Sequence, residues 1–115
     1  MLVIVGGPAG ATVSSLLVEE GWNVALLEKE HHPRFHIGES LLAMNLPILK
    51  RLGVLEQVAA IGVPKYGVYF LSHQCTDHDQ IFYFSRALDK NYPHAHEVRR
   101  SEFDHLLLKT AMRRA

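Results

Sequence analysis

The first 28 residues constrain the fold of this chain more than any other stretch. Leu2–Val5 is a run of aliphatic and β-branched residues, which is typical of a parallel strand buried on both faces. The glycine-rich turn Gly6–Gly10 follows, and apolar residues then recur at helical spacing until a glycine that suits a helix end. Asn23–Leu27 regains strand character, and the acidic Glu28 follows it. The stretch therefore predicts a strand, a helix over 9–20 and a second strand.

Glycines in such a turn have a specific chemical use. The pyrophosphate of a dinucleotide has to approach the amide groups at the start of the helix, where the helix dipole favours negative charge and a Cβ would block the way. Gly7 would admit the phosphate, Gly10 would let the helix pack on the strand, and Glu28 would hydrogen-bond the ribose hydroxyls. Glu28 lies 18 residues after Gly10, close to the usual spacing of about 20, and its charge disfavours an NADP-type adenosine. The alternative is an ordinary strand–turn–helix with flexible glycines.

One position departs from the dinucleotide pattern G-x-G-x-x-G. Counted back from Gly10, Val5 stands where the first glycine belongs, which is the residue that turns the chain off the strand. A β-branched side chain at positive φ costs on the order of 1–2 kcal/mol or more. The sequence leaves two outcomes open: either Gly6 re-forms the turn, or the affinity for a cofactor is impaired.

The composition excludes several classes of partner and site. A length of 115 residues allows at most one domain. The 12 basic and 12 acidic side chains cancel, so no net charge attracts the chain to nucleic acid or to an anionic membrane. Cys75 is the single cysteine, which excludes an intramolecular disulfide. Met1 directly precedes the first strand without the features of a signal peptide or a membrane span, so we expect a cytoplasmic protein.

The remaining chain predicts a loop, two short helices, three strands and a closing helix. In order these are a polar loop at 29–38, a helix at 39–52 bent at Pro47, a helix at 54–60, strands at 66–71 and 81–85 paired antiparallel across a polar turn at 72–79, a strand at 94–98, and a helix capped by Ser101 with Asp104 in the capping-box position and Phe103, Leu106, Leu107 and Ala111 facing inward. The aromatic residues of the strands are interpreted chiefly as sheet packing.

Four segments together resemble FAD-dependent oxidoreductases of the aromatic hydroxylase superfamily. They are GGPAG with Glu28, PRFHIGESLL at 33–42, LPILKRLGV at 46–54 and VRRSEFDHLLL at 98–108. Within that superfamily the chain is most similar to flavin-dependent halogenases and to geranylgeranyl-reductase-like enzymes. The resemblance implies FAD as the cofactor and an α/β fold, namely a partial Rossmann-like FAD-binding βαβ unit with an incomplete antiparallel substrate-domain sheet.

The resemblance also implies that residues 1–115 form a single N-terminal FAD-binding region of a longer flavoenzyme, or of a truncated copy of one. Residues 62–98 would contribute to the incomplete substrate-domain sheet. A two-stranded sheet is marginal without further partners. We therefore expect the isolated chain to bind FAD weakly if at all, and to be inactive alone.

The resemblance assigns individual residues to the cofactor. Gly7, Gly10 and the helix start after Pro8 would meet the pyrophosphate, and Glu28 the adenosine ribose. Arg34 would lie along the adenosine part, and Glu39 and Ser40 near the flavin side. Arg100, from the pattern V-x-R-x-x-F-D, would contribute to FAD binding from the start of the late helix, and Gly6, Ala9 and Lys29 complete the predicted cofactor-binding set. An arginine can bind phosphate bidentately, and polar side chains at a helix start can anchor hydrogen bonds. The alternatives are solvated surface charges for the arginines and a plain helix N-terminus for Glu39 and Ser40.

In the enzymes that the chain resembles, the flavin performs the chemistry. Reduced FAD and oxygen form a hydroperoxide that hydroxylates a substrate or, in halogenases, oxidises a halide, whereas reductase relatives reduce an alkene. The implied partners are a small organic substrate, a halide and a flavin reductase. The halogenase W-x-W-x-I-P motif is absent from the sequence, and no catalytic residue is named. Rival hypotheses are a non-catalytic remnant that pairs through its sheet edges and an NAD-linked dehydrogenase.

The histidines and the cysteine are the remaining candidates for a metal site and for a nucleophile. The two histidine clusters are His31, His32 and His36, and His94 and His96. Neither spacing matches a known metal site, so no metal is predicted. Cys75 is interpreted as an incidental thiol, because no base is identifiable beside it.

Overall fold

A computed structural model describes residues 1–72 and 80–114. The elements in chain order are β1 (Leu2–Ile4), α1 (Pro8–Glu19), β2 (Ala25–Leu27), a 3-10 turn (Ala43–Asn45), α2 (Leu46–Arg51), α3 (Leu55–Ile61), β3 (Gly62–Lys65), β4 (Gly67–Phe70), β5 (Gln80–Tyr83), a second 3-10 turn (Phe84–Arg86), β6 (Ala95–Val98) and α4 (Arg100–Arg114). Cys75 and most of the predicted polar turn lie outside the described residues.

The opening segment forms the predicted β–α–β unit. β1 and β2 pair in parallel, with Val3 opposite Leu26. Between them α1 begins with Gly7 as its N-cap and Pro8 in the first turn, a position where the missing proline N–H costs nothing. The prediction of a partial Rossmann-like unit is confirmed.

The expectation that β1 is buried on both faces is wrong for this chain. Leu2 and Ile4 are exposed, whereas Val3 is half-buried. Val3 lies on the side of α1, since its Cγ1 is 3.5 Å from where a Cβ on Gly10 would stand. The opposite side of the sheet is exposed because α1 covers only the face that carries Val3.

The core lies between α1, α4 and the segment that connects the sheets. The buried positions of α1 are small: Gly10, Ala11, Ser14 and Ser15. Opposite them, α4 buries Phe103, Leu107 and Ala111 as predicted. The remaining buried apolar residues of this cluster are Leu41, Leu46, Leu49, Leu52, Val54, Val58 and Val98. Small residues on one helix let the larger side chains of the other pack close to its backbone.

The predicted helix at 39–52 begins later than expected. Its first four residues are extended: the Leu41 amide donates to the carbonyl of His96 (3.0 Å), and the Val98 amide donates to the carbonyl of Glu39 (2.9 Å). Ser40 forms an antiparallel bridge with Glu97. The prediction of a helix start at Glu39 is therefore wrong, because these long-range bonds to β6 replace the first helical turn.

Two further sheets are antiparallel pairs. β4 pairs with β5, which confirms the predicted hairpin partners, and β6 pairs with the unpredicted strand β3. Pro64 lies within β3, opposite His96, and a proline inside a run argues against a strand. The aromatic residues of β4 and β5 are exposed, namely Tyr69, Phe70, Phe82 and Tyr83, whereas Phe84 in the following 3-10 turn is buried and packs edge-on to Phe82.

The start of α4 differs from the prediction. The helix begins at Arg100, and the carbonyl of Arg99 accepts the amides of Glu102 and Phe103. Ser101 is therefore inside the first turn and is not the cap. Asp104 does not form a capping box either, because its carboxylate pairs with Arg100.

The helices are short compared with a bilayer. A membrane-spanning helix needs about 20 apolar residues, and the longest described helix, α4, has 15 residues. None of the described helices is long and apolar enough to cross a membrane. The cytoplasmic location stays a prediction.

Candidate functional site

The turn after β1 contains the strained backbone conformation that the sequence predicts at Val5. Val5 has φ = 103° and is the one non-glycine residue with positive φ in the described ranges. Its amide still donates to the carbonyl of Leu27 (2.8 Å), so the strand pairing continues into the turn. Val5 itself therefore takes the conformation of the missing first glycine, and Gly6 does not replace it.

Replacing Val5 with glycine should stabilise the chain. The Val5 side chain is 59% exposed, so little burial is lost, while the positive-φ strain of about 1–3 kcal/mol is relieved. Glycine gains freedom in the unfolded chain, which offsets part of this. We expect Val5→Gly to raise the free energy of unfolding by about 1 kcal/mol in urea denaturation. Val5→Ala keeps the strained backbone and should not stabilise; equal stabilisation by both variants would contradict the assignment.

The two later glycines of the turn have different surroundings. A Cβ on Gly10 would stand 1.8 Å from the carbonyl oxygen of Val5, whereas a Cβ on Gly7 would meet no described atom within 4 Å. Gly10 thus allows helix and strand to touch, and Gly7 leaves the approach to the helix start open. No described side chain caps α1, and its first turn has no acidic residue. Exposed amides at a helix N-terminus are a binding surface for anions.

Glu28 is held against this turn from the end of β2. Its Oε2 accepts the amide of Gly6 (2.6 Å) and its Oε1 accepts the amide of Glu30 (2.9 Å). Only 10% of its side chain is exposed. These hydrogen bonds from Glu30 and Gly6 hold the pKa of Glu28 below its ordinary value. The acid stays ionised beside the bare helix start, as the sequence predicts for a ribose-binding carboxylate.

The lowered pKa predicts acid sensitivity of the turn. A carboxylate with a depressed folded pKa stabilises the fold above its unfolded pKa of about 4.3, and this contribution is lost as the pH falls through the folded pKa. Glu28→Gln should therefore be less stable than the wild type at neutral pH, and the difference should shrink in acid. Unfolding free energies from pH 7 to pH 3 test this; a difference independent of pH would contradict it.

The loop after Glu28 contains the buried His32, whose sequence pattern suggested a metal cluster but no place beside the acid. The His32 side chain is 1% exposed, with Nε2 3.9 Å from Oε2 of Glu28. Both of its ring nitrogens, and Nε of Arg34, are buried without a hydrogen-bond partner in the described part of the chain. Lys29 is exposed beside Glu30. Buried polar atoms without partners next to the acid fit a polar group that binds there.

The two residues predicted on the flavin side lie on an extended segment. Glu39 and Ser40 are exposed, and the Lys65 amine donates to Oγ of Ser40. Lys65 also lies over the Phe84 ring, 5.5 Å from its centroid. No sequence pattern indicated Lys65, because this contact joins β3 to a residue 25 positions earlier.

Arg100 lies at the start of α4 and is not a solvated charge, since its side chain is 15% exposed. Nε and Nη2 donate to the carboxylate of Asp104 (2.7 and 3.0 Å), and Nη1 donates to the carbonyls of Ile37 (2.9 Å) and Gly38 (3.4 Å). The guanidinium thus connects α4 to the loop before Glu39.

A groove joins the glycine turn to Arg100. The groove has a volume of about 480 Å³ and lies between α1, the segment 38–49 and α4, with Pro8, Ala9 and Arg100 in its walls. Glu39 and Ser40 line a separate cleft with Gly38 at its edge. Of the pyrophosphate candidates, Pro8 and Ala9 therefore share a groove with Arg100, whereas Glu28 lines a separate cavity between α1, β2 and α4 and Lys29 lines neither.

The described histidines do not assemble into a metal centre. Within residues 1–72 and 80–114, no group of three His, Cys, Asp or Glu side chains is placed to hold a metal ion. The His94 and His96 rings pack edge-to-face, 5.4 Å apart. Burial and the neighbouring His94 lower the pKa of His96, which favours its neutral form.

Comparisons with known proteins agree with this geometry. A tryptophan 2-halogenase of Chondromyces crocatus is 40% identical over 114 residues, which covers 98% of this chain and 21% of the relative. A flavin-dependent halogenase of Armillaria mellea is also 40% identical, with 96% of this chain and 21% of the relative covered. This chain spans about a fifth of the length of these curated relatives.

A solved structure shows the same arrangement of the chain. The flavin-dependent halogenase CmlS superposes with a TM-score of 0.87 at 38% identity, over 98% of this chain and 20% of its own. The family model described as tryptophan halogenase matches residues 1–114. Since that match extends over almost every residue, the chain belongs to the tryptophan halogenase family.

Proposed function

We propose that this chain is the FAD-binding part of a flavin-dependent halogenase. The observation that carries the proposal is the anchored carboxylate of Glu28, which accepts the Gly6 amide beside the uncapped start of α1. A carboxylate there suits a ribose diol, and the helix start next to it, which no described side chain caps, suits a diphosphate. The open position at Gly7 leaves room for the phosphate oxygens.

The remaining assignments follow the groove and the loop. Gly7, Gly10 and the start of α1 after Pro8 would hold the pyrophosphate, with Gly6 and Ala9 in the same turn, and Glu28 would hold the ribose. Arg34 would lie on the adenosine side, Glu39 and Ser40 on the flavin side, and Lys29 and Arg100 would contribute to FAD binding. The buried nitrogens of His32 and Arg34 make no hydrogen bond in the described part of the chain and lie 3.9 Å from the carboxylates of Glu28 and Glu30, which supports a polar ligand at the adenosine side. Residues 1–115 would form one FAD-binding region, and residues 62–98 would contribute to a substrate-domain sheet.

The proposed reaction is halogenation, with a related monooxygenase reaction as the nearest variant. FAD, when bound, supplies the redox chemistry that oxidises the halide. The protein residues described above bind and orient the cofactor and exclude water from one side of it. The partners would be a halide, a small organic substrate and a flavin reductase. The relatives are named as halogenases, which disfavours the geranylgeranyl-reductase-like alternative.

Titration of nucleotides into the purified chain tests the proposal. FAD should bind weakly and shift the flavin absorbance, ADP should compete with it, and FMN, which lacks the adenosine half, should not bind. Adenosine 2′-phosphate 5′-diphosphate should compete less well than ADP, because Glu28 repels the 2′-phosphate. FMN that binds as well as FAD would contradict the proposed site, and submicromolar FAD affinity would contradict the expectation of weak binding.

A further inference from the structure

Arg100 uses most of its hydrogen-bonding capacity within the protein. A guanidinium offers five N–H donors, and Arg100 makes four hydrogen bonds, two to Asp104 and two to the carbonyls of Ile37 and Gly38. One Nη2 donor therefore remains for the groove, on whose wall Arg100 lies. A bidentate grip on a phosphate needs two free parallel donors, so Arg100 is poorly arranged for that role.

Asp104 fixes the guanidinium in this orientation. The residue is 0% exposed, one helical turn after Arg100, and each of its carboxylate oxygens accepts one Arg100 donor, at 2.7 and 3.0 Å. Asp104 does not line the groove. A buried carboxylate is tolerated only when paired, and a bidentate pair allows little rotation.

The other end of the guanidinium holds the loop before Glu39. Gly38 has φ = +91°, and a Cβ on it would stand 3.1 Å from Nη1 of Arg100, so the backbone packs directly on the guanidinium. Immediately after this contact, Glu39 and Leu41 exchange backbone hydrogen bonds with β6. The Arg100 contact thus lies directly before the extended segment.

We infer that Asp104 is a positioning residue, which acts through Arg100 to hold residues 37–40 at the edge of the groove. The part of the inference that concerns FAD binding rests on the proposed function. The part that concerns the loop does not, because it can be measured in the chain without FAD. Arg100 acts on the cofactor mainly by placing this segment. Its single free donor adds a minor direct contact.

Hydrogen exchange of the flavin-free chain tests the effect on the loop. The amides of Leu41 and Val98 report the docking of residues 39–41 on β6. Asp104→Asn replaces one acceptor oxygen with an amide that faces an Arg100 donor, and both amides should then exchange at least about tenfold faster. Glu102→Gln breaks the exposed Arg99–Glu102 pair (3.4 Å) on the same turn of α4 and should change neither amide, since exposed pairs contribute little.

Arg100→Lys is the second variant, in case Asp104→Asn unfolds the chain. Lysine keeps the charge opposite Asp104 but cannot reach both loop carbonyls, because it lacks the guanidinium fork. Leu41 and Val98 should again exchange faster, by a larger factor than the amide of Ser15 within α1, which reports the general loss of stability. Unchanged exchange at Leu41 and Val98 in Arg100→Lys would overturn the inference.

The direction in which Asp104→Asn changes FAD affinity shows whether Arg100 acts by holding the loop or by direct contact with the phosphates. If Arg100 were chiefly a phosphate ligand, Asp104→Asn would free its donors and remove a negative charge, and FAD affinity would stay the same or rise. Positioning predicts instead that Asp104→Asn weakens FAD binding about tenfold and Glu102→Gln does not. Faster exchange of Leu41 and Val98 in a chain whose glycine-turn amides respond to neither FAD nor ADP would leave the loop inference standing and contradict the proposed function; equal or tighter FAD binding by Asp104→Asn would overturn positioning.

Discussion

Gly10→Ala should unfold the β–α–β unit. The added Cβ would stand 1.8 Å from the carbonyl oxygen of Val5 and 2.9 Å from its carbonyl carbon. Because both are backbone atoms, the steric clash can be removed only if α1 moves away from β1. Overpacking of this kind costs about 3 kcal/mol or more, a large part of the stability of a small domain. Urea denaturation followed by far-UV circular dichroism should show a much lower midpoint or no transition.

Gly53→Ala provides a comparison for this loss. Gly53 has φ = +69°, and a Cβ there would meet no described atom within 4 Å. Its cost is the backbone strain of about 1 kcal/mol. Gly10→Ala should therefore destabilise the chain clearly more than Gly53→Ala. Equal midpoints for the two variants would contradict the close contact between α1 and β1.

Gly7→Ala should keep the fold and lose the cofactor. Gly7 has φ = −68°, which alanine adopts without strain, and its Cβ would enter open space. The change of N-cap residue costs about 1 kcal/mol or less. The same methyl group would occupy the approach of the pyrophosphate to the helix start. We expect FAD binding to weaken at least about tenfold, which corresponds to about 1.4 kcal/mol.

The comparison of the two glycines tests both assignments together. Gly10→Ala should lower the midpoint of urea denaturation. Gly7→Ala should keep that midpoint close to the wild-type value and should weaken only FAD binding. Thr12→Ala, on the groove wall further along α1, is a control for substitution within this helix. A Gly7→Ala variant that binds FAD like the wild type would place the phosphates somewhere else.

The βαβ unit was predictable because its signals are local. Strand, glycine turn, helix and acid follow one another within 28 residues, and their chemistry demands that order. The strain at Val5 was also predictable, since the register counted from Gly10 assigns it the conformation of a glycine. The alternative in which Gly6 re-forms the turn was wrong: the backbone of Val5 adopts positive φ itself.

The errors concern contacts between distant parts of the chain. Glu39 and Ser40 have the local pattern of a helix start, but hydrogen bonds with β6, nearly 60 residues later, keep them extended. β3 was missed because Pro64 suggests a loop, and only its pairing with β6 makes the segment a strand. Neither outcome can be derived from spacing within a single segment.

The start of α4 illustrates the same limit. Ser101 followed three residues later by Asp104 fits a capping box. The structure uses Asp104 to hold Arg100, whose other end binds a loop more than 60 positions earlier. No sequence signal placed His32 beside Glu28 or Lys65 beside Ser40, because these contacts depend on the folded loop and on β3.

Amide chemical shifts during a nucleotide titration test the central claim most directly, because they detect weak binding. In a ¹⁵N-labelled chain, FAD and ADP should shift the amides of Gly6, Gly7, Ala9 and Gly10 in a saturable way, and FMN should leave these four unchanged. Glu28→Gln should reduce the response to ADP. If ADP shifts none of these amides while the chain is folded, the glycine turn does not hold the diphosphate.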